Sequence, residues 1–255
     1  MLSFLETLRY RNSDLFYFGL ACLVSAVLFG LLVRLTGTQV AGVNAWYKPL
    51  KFALSIGILA WTMAWYTGYL APSLSVKIYN WTLIILFGLE ILYIAIQAGR
   101  GQLSHYNVSS PFYSFMYFFM AAAATVVTLH TAYIGLLFFG ATAVELPQHY
   151  LWSIRAGFLL FAVFSFEGFV MGSAMRHTVG ATDGSGGLPL LNWSTRFGDL
   201  RVAHFVGMHA LQVLPFLSWY LLKQSWMTLV AFLCYACLAA YILWQALEGK
   251  PFIRL

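Results

Sequence analysis

Long apolar runs follow one another along the chain with short polar breaks between them, and within the runs polarity does not alternate. A helix needs about 20 mostly apolar residues to cross the hydrocarbon of a bilayer, whereas a barrel strand needs only ~10 that alternate, so the pattern predicts helices. Seven spans are expected, at residues 15–34, 50–70, 78–98, 112–140, 151–175, 201–222 and 225–247. The fourth lies in the longest uncharged stretch, residues 106–144. Pro111, after Ser109 and Ser110, predicts its first turn, and Glu145, Pro147 and Gln148 predict its exit. One long helix is the expectation there, with a re-entrant segment as the alternative.

Composition fixes the solvent. Of 255 residues, 61% are hydrophobic and only 9% charged, with a mean hydropathy of +0.78. Soluble domains carry about 25% charged residues, so a water-soluble globule and a disordered chain are both excluded. The expected fold class is all-α: a polytopic integral membrane protein, residues 1–255 forming a single transmembrane domain. Residues 1–14 are polar and lack the short apolar core and small-residue cleavage site of a removable signal peptide. No internal repeat is visible, and an odd number of spans offers no inverted pair.

The net charge of +6 does not point to nucleic acid, because the 14 Lys and Arg are scattered singly. They set orientation instead. With the N-terminus outside, Arg9, Arg11, Lys77, Arg155 and Lys223 lie on the outer side. Arg34, Lys48, Lys51, Arg100, Arg176, Arg196, Arg201, Lys250 and Arg254 then lie inside. The positive-inside bias therefore predicts the N-terminus out and the C-terminus in the cytoplasm.

Polar side chains concentrate in the three inner connections, NAWYKPLK, QAGRGQLSHYN and the long loop from Arg176 to His204. Inside the spans sit Glu90, His130, Glu167, His204 and His209. An ionisable residue at mid-span costs about 2.5 to 3.5 kcal/mol on insertion scales and faces a partner or a cavity. At 100° per residue, Glu90, Tyr93 and Gln97 share a stripe running down to Arg100, and Arg201, His209 and Gln212 fall within about 80° of one another. Gly168 and Gly172 beside Glu167 allow close helix contact.

These residues predict a cytoplasm-facing polar pocket among the third, fifth and sixth spans. Glu167, His209 and Glu90 are the candidate catalytic groups, and His204, His209 and Glu167 are a candidate zinc or iron set. The five-residue spacing of the histidines matches neither HExxH nor the Glu-x-x-His pair of di-iron bundles. Haem held between His209 and His130 is a weaker option, since the two are offset by about 10 Å along the membrane normal. Gln97, Arg100, His105, Asn192, Arg196, Arg201 and Gln212 are candidate contacts for a lipid-like or small anionic ligand. The expected function is a metal-dependent or redox membrane enzyme acting on an apolar substrate. The alternative is a proton-coupled transporter or channel using Glu90 and Glu167. Cys234 and Cys237 read as small packing residues, and VGATDGSGGLP lacks the lysine and spacing of a phosphate-binding loop.

Seven spans in this orientation resemble microbial rhodopsins, but the last span carries no lysine for a retinal Schiff base. The segment H-F-V-G-M-H does not match the HxxxH of the seven-span hydrolases related to alkaline ceramidases. GLPLLNWSTRFGDLRVAHFVGMHALQVLP, NAWYKPLKFALSIGI and QAGRGQLSHYN resemble a family of bacterial polytopic membrane proteins. That resemblance implies a bacterial inner membrane and supplies no activity.

Overall fold

Every expected apolar run is helical in the computed structural model, which describes residues 3–140, 146–184 and 186–254. The helices are α1 (Phe4–Arg11), α2 (Ser13–Leu35), α3 (Tyr47–Thr67), α4 (Leu74–Gly99), α5 (Pro111–Leu137), α6 (Gln148–Ser165), α7 (Glu167–Ala174), α8 (Leu200–Tyr220) and α9 (Ser225–Leu247). Six spans emerge as long and apolar enough to cross a membrane, with α6 and α7 counting together as one. The chain is thus a helical, multi-pass membrane protein. The remaining long helix, α3, is more polar because Lys48 and Lys51 occupy its first turn and Trp and Tyr its last. α5 starts at Pro111 as expected and ends at Leu137, three residues early; Glu145 lies outside the described residues.

Contacts gather into two units, Met1–Val127 and Thr128–Leu255. In the first, Ser3 and Glu6 form a capping box that starts α1 within the polar residues 1–14. Arg11 lays its guanidinium over the rings of Trp65 (3.9 Å) and Tyr69 (4.2 Å) and donates to the Trp65 carbonyl. Asn12 caps α2 through Leu15 N and exchanges buried hydrogen bonds with Thr67 and Asn80. One amide thereby ties the start of α2, the end of α3 and the start of α4. The same bonds occupy the sequon asparagine Asn80 inside the protein.

Lipid is as apolar as leucine, so helices associate in it through close packing rather than through the hydrophobic effect. Gly19 of α2 accordingly admits the indole of Trp61, to which a Cβ would stand 2.2 Å away, and that indole donates to Phe16 O. After α2, the ribbon β1 (Gln39–Val40) and β2 (Val43–Asn44) turns through Ala41 and Gly42, both at positive φ. Asn44 then caps α2 by donating to the carbonyls of Val33 and Thr36.

In the second unit α6 and α8 approach most closely at Gly157, where a Cβ would meet Leu211 Cα at 2.9 Å and Ala210 O at 3.1 Å. Leu160, Phe164, Val202, Ala203, Ala210, Leu214, Ala239 and Ile242 form the core among α6, α8 and α9. Cys234 and Cys237 are exposed on α9, which corrects the expectation that they pack. A second ribbon, β3 (Thr178–Val179) with β4 (Gly198–Asp199), closes the long loop between α7 and α8. Gly198 lies against Ala246 O and Gly249, seating the ribbon on the end of α9.

Candidate functional site

In the first unit the site is built on the last turns of α4. Glu90, Tyr93 and Gln97 share the expected stripe and are all buried, at 4%, 7% and 1% exposure. Gln97 Nε2 donates to Tyr93 Oη at 2.8 Å, which confirms that the stripe is one face. The helix then ends in a Schellman motif: Gly101 N donates to Ala98 O and Gln102 N to Gln97 O, with Gly101 at φ +65°. This turn sends the chain back along α4 and brings His105 to Glu90, Nε2 to Oε1 at 3.7 Å.

Burial, reinforced by the positive charge of Lys48, holds the His105 imidazole well below the usual histidine range. The ring is therefore neutral at pH 7, and 3.7 Å exceeds hydrogen-bond length, so the contact is not an ion pair. Phe52 packs on the same ring at 5.5 Å, and Lys48 Nζ lies 5.9 Å over Phe52. Glu90 Oε2, Gln97 Oε1 and Trp46 Nε1 are buried without a hydrogen-bond partner among the described residues. Arg100 caps the helix and is exposed.

The second unit holds Glu167, His204 and His209. The fifth expected span is interrupted at Phe166. Ser165 Oγ bonds back to Phe161 O at 2.6 Å, and Phe166 N reaches Ala162 O only at 3.4 Å. His204 Nδ1 meets Phe164 O at 2.7 Å. In an unbroken helix that carbonyl accepts from Gly168 N, so the imidazole enters the ladder at the break. A carbonyl only accepts, so Nδ1 carries the hydrogen. The ring lies beside Gly168, where a Cβ would stand 3.8 Å from its Cε1. Glu167, at 6% exposure, starts α7 with neither carboxylate oxygen bonded among the described residues.

His209 turns elsewhere. Its Nδ1 donates to Gln212 Oε1 at 3.2 Å, and its ring packs on Phe205 at 4.2 Å between centroids. The metal set expected from His204, His209 and Glu167 is not assembled, since no three His, Cys, Asp or Glu gather around one point among the described residues. His130 Nδ1 has no partner among them either. The expected pocket drew on both halves of the chain; Glu90 keeps its described partners in the first unit and His204 and His209 keep theirs in the second.

The described residues between α7 and α8 are tied together by hydrogen bonds around Asp199 and Asp183. Arg201 grips Asp199 with two bonds, Nε to Oδ1 at 2.9 Å and Nη2 to Oδ2 at 2.6 Å, and also reaches Asn192 O. Asp199 further accepts from Ser194 N and Arg201 N. Burial alone pushes the Asp199 carboxyl up, but the Arg201 guanidinium outweighs it and the group stays below its ordinary value. Asp183 accepts from the backbone of His177 and Thr178 and lies 3.3 Å from His177 Nδ1. Of the ligand contacts expected here, Arg201 and the Asn192 carbonyl are thus engaged with the protein, while Arg196 is exposed. His177 and Asp183 were not expected as partners, because no local motif in the Gly-rich loop pairs them. No protein family, curated protein or solved structure matches the chain.

Proposed function

We propose that the protein is a seven-span protein of a bacterial inner membrane, N-terminus outside, which moves protons by way of Glu90 and Glu167 and couples them to transport. The observation that carries this reading is Glu90, buried in a long apolar helix with one oxygen unbonded among the described residues and the other 3.7 Å from the His105 imidazole, beyond hydrogen-bond length. A carboxyl so placed gains and loses a proton without breaking a strong ion pair, and intramembrane acids of this kind mark proton relays. Glu167, buried at a helix break with both carboxylate oxygens unbonded among the described residues, is a second such acid. The metal-dependent reading is less well supported, because its ligands point to different partners.

The test is proton uptake into proteoliposomes driven by a potassium diffusion potential and read with an enclosed pH dye. Glu90→Gln and Glu167→Gln each lower the rate at least about tenfold. Unchanged uptake in both variants removes the proposal.

A further inference from the structure

The long inner loop holds four cations and two acids between Arg176 and Arg201, counting His177 among the cations only when protonated. The fold divides them unequally. Both acids are taken inside, Asp199 by Arg201 and Asp183 by the His177 ring and two backbone N–H groups. Arg176 and Arg196 are left exposed and make no ion pair among the described residues. Lys250, exposed beyond α9, lies 3.8 Å from the exposed Glu248 and 5.3 Å over the Trp244 ring.

Connectivity places these cations. β4 leads directly into α8 at Leu200, and the ribbon rests on Ala246 and Gly249 where α9 ends. The ribbon therefore lies where two apolar helices leave the membrane, which is headgroup depth. Around it Met175, Leu190, Phe252 and Ile253 present apolar side chains at 36%, 43%, 41% and 42% exposure. Phe252 is anchored against Trp193, ring centroids 6.4 Å apart. Arg196 itself borders a shallow hollow with Gly186, Gly187, Thr195 and Phe197. Uncompensated guanidinium groups beside apolar side chains at this depth suit a negatively charged headgroup with its acyl chains below.

We infer that the β3–β4 ribbon is a binding surface for anionic phospholipid, with Arg196 and Arg176 holding phosphodiester headgroups. This inference is independent of the proton-transfer proposal. Each arginine contributes about fivefold in affinity, and the preference weakens with salt.

The test is native mass spectrometry of the full chain released from detergent with equal phosphatidylglycerol and phosphatidylcholine. The wild type retains phosphatidylglycerol over phosphatidylcholine by about 25-fold, the product of two fivefold contributions. Arg176→Gln with Arg196→Gln, confirmed monodisperse by gel filtration, brings that ratio down to about one, whereas Lys223→Gln leaves it unchanged. Equal retention of the two lipids by the wild type overturns the inference, as does a preference that survives in the double variant. Displacement of phosphatidylglycerol by equimolar glycerol phosphate also overturns it, since that would mark a site for a soluble anion.

Discussion

Asp199→Asn isolates the interaction that organises the loop between α7 and α8. The side chain is almost wholly buried and accepts four bonds. An asparagine with its oxygen at the Oδ1 position keeps the bonds from Arg201 N and Nε. Its NH2 group then stands where Oδ2 was, facing Ser194 N–H at 2.9 Å and Arg201 Nη2 at 2.6 Å. Donors face donors, so two charge-assisted bonds of about 1.5 to 3 kcal/mol each are lost. The expected destabilisation is about 3 to 5 kcal/mol, the range for breaking a buried pair from one side. At about 2 to 4 °C per kcal/mol for a chain of this length, the thermal midpoint in detergent falls by roughly 6 to 20 °C. Acid gives an independent check. The Asp199 carboxyl is held below its unfolded value, so its contribution is complete above about pH 4 and disappears as pH falls through the lower folded value. Wild type and variant therefore converge in strong acid. A variant within about 1 kcal/mol of wild type at pH 7 would show that the pair does not hold the loop.

Three further outcomes are expected. Gly157→Val destabilises by at least about 2 kcal/mol in chemical unfolding, because its side chain meets the backbone of Ala210 and Leu211 rather than a movable side chain; a smaller loss would mean that α6 and α8 separate easily. His204→Leu frees Phe164 O to accept from Gly168 N and lets the helix close, so amides 165–169 exchange deuterium more slowly by mass spectrometry; unaltered exchange would show that the break forms without the imidazole. His105 is depressed below its unfolded value, so stability falls as pH drops below about 6.5 and is flat above about 7.5, with a slope of at most about 1.4 kcal/mol per pH unit. His105→Gln removes that slope, and a slope preserved in the variant would assign it to another group.

The spans were legible because bilayer thickness fixes how many apolar residues a helix needs, and because Pro111 starts a helix by having no N–H to lose. The break at Phe166 was not. Ser165, Phe166 and Glu167 are each compatible with a continuing helix, and what stops it is an imidazole arriving from 40 residues away to take a carbonyl. Asn12 was hidden for the same reason. Its partners Thr67 and Asn80 lie 55 and 68 residues along the chain, and nothing local distinguishes it from an ordinary cap.

Residue type identified which side chains merited attention at the site, and the stripe of Glu90, Tyr93 and Gln97 followed directly from helical geometry. Partnership did not follow. His204 and His209 look equivalent as ligands in the sequence, yet one spends its hydrogen on a helix break and the other on Gln212, three residues along its own helix. Arg196 and Arg201 look equivalent as anion contacts, yet only Arg201 has an acid at the spacing that lets both guanidinium edges close on it. The difference matters because a guanidinium already gripped by a buried carboxylate has little left to offer a ligand, whereas an exposed one retains its charge and its donors. In a chain with so few charges, the residues that the fold leaves unpaired are therefore better guides to chemistry than the residue types alone. Among the described residues, Glu90 and Glu167 in the spans and Arg176 and Arg196 at the surface are four of these.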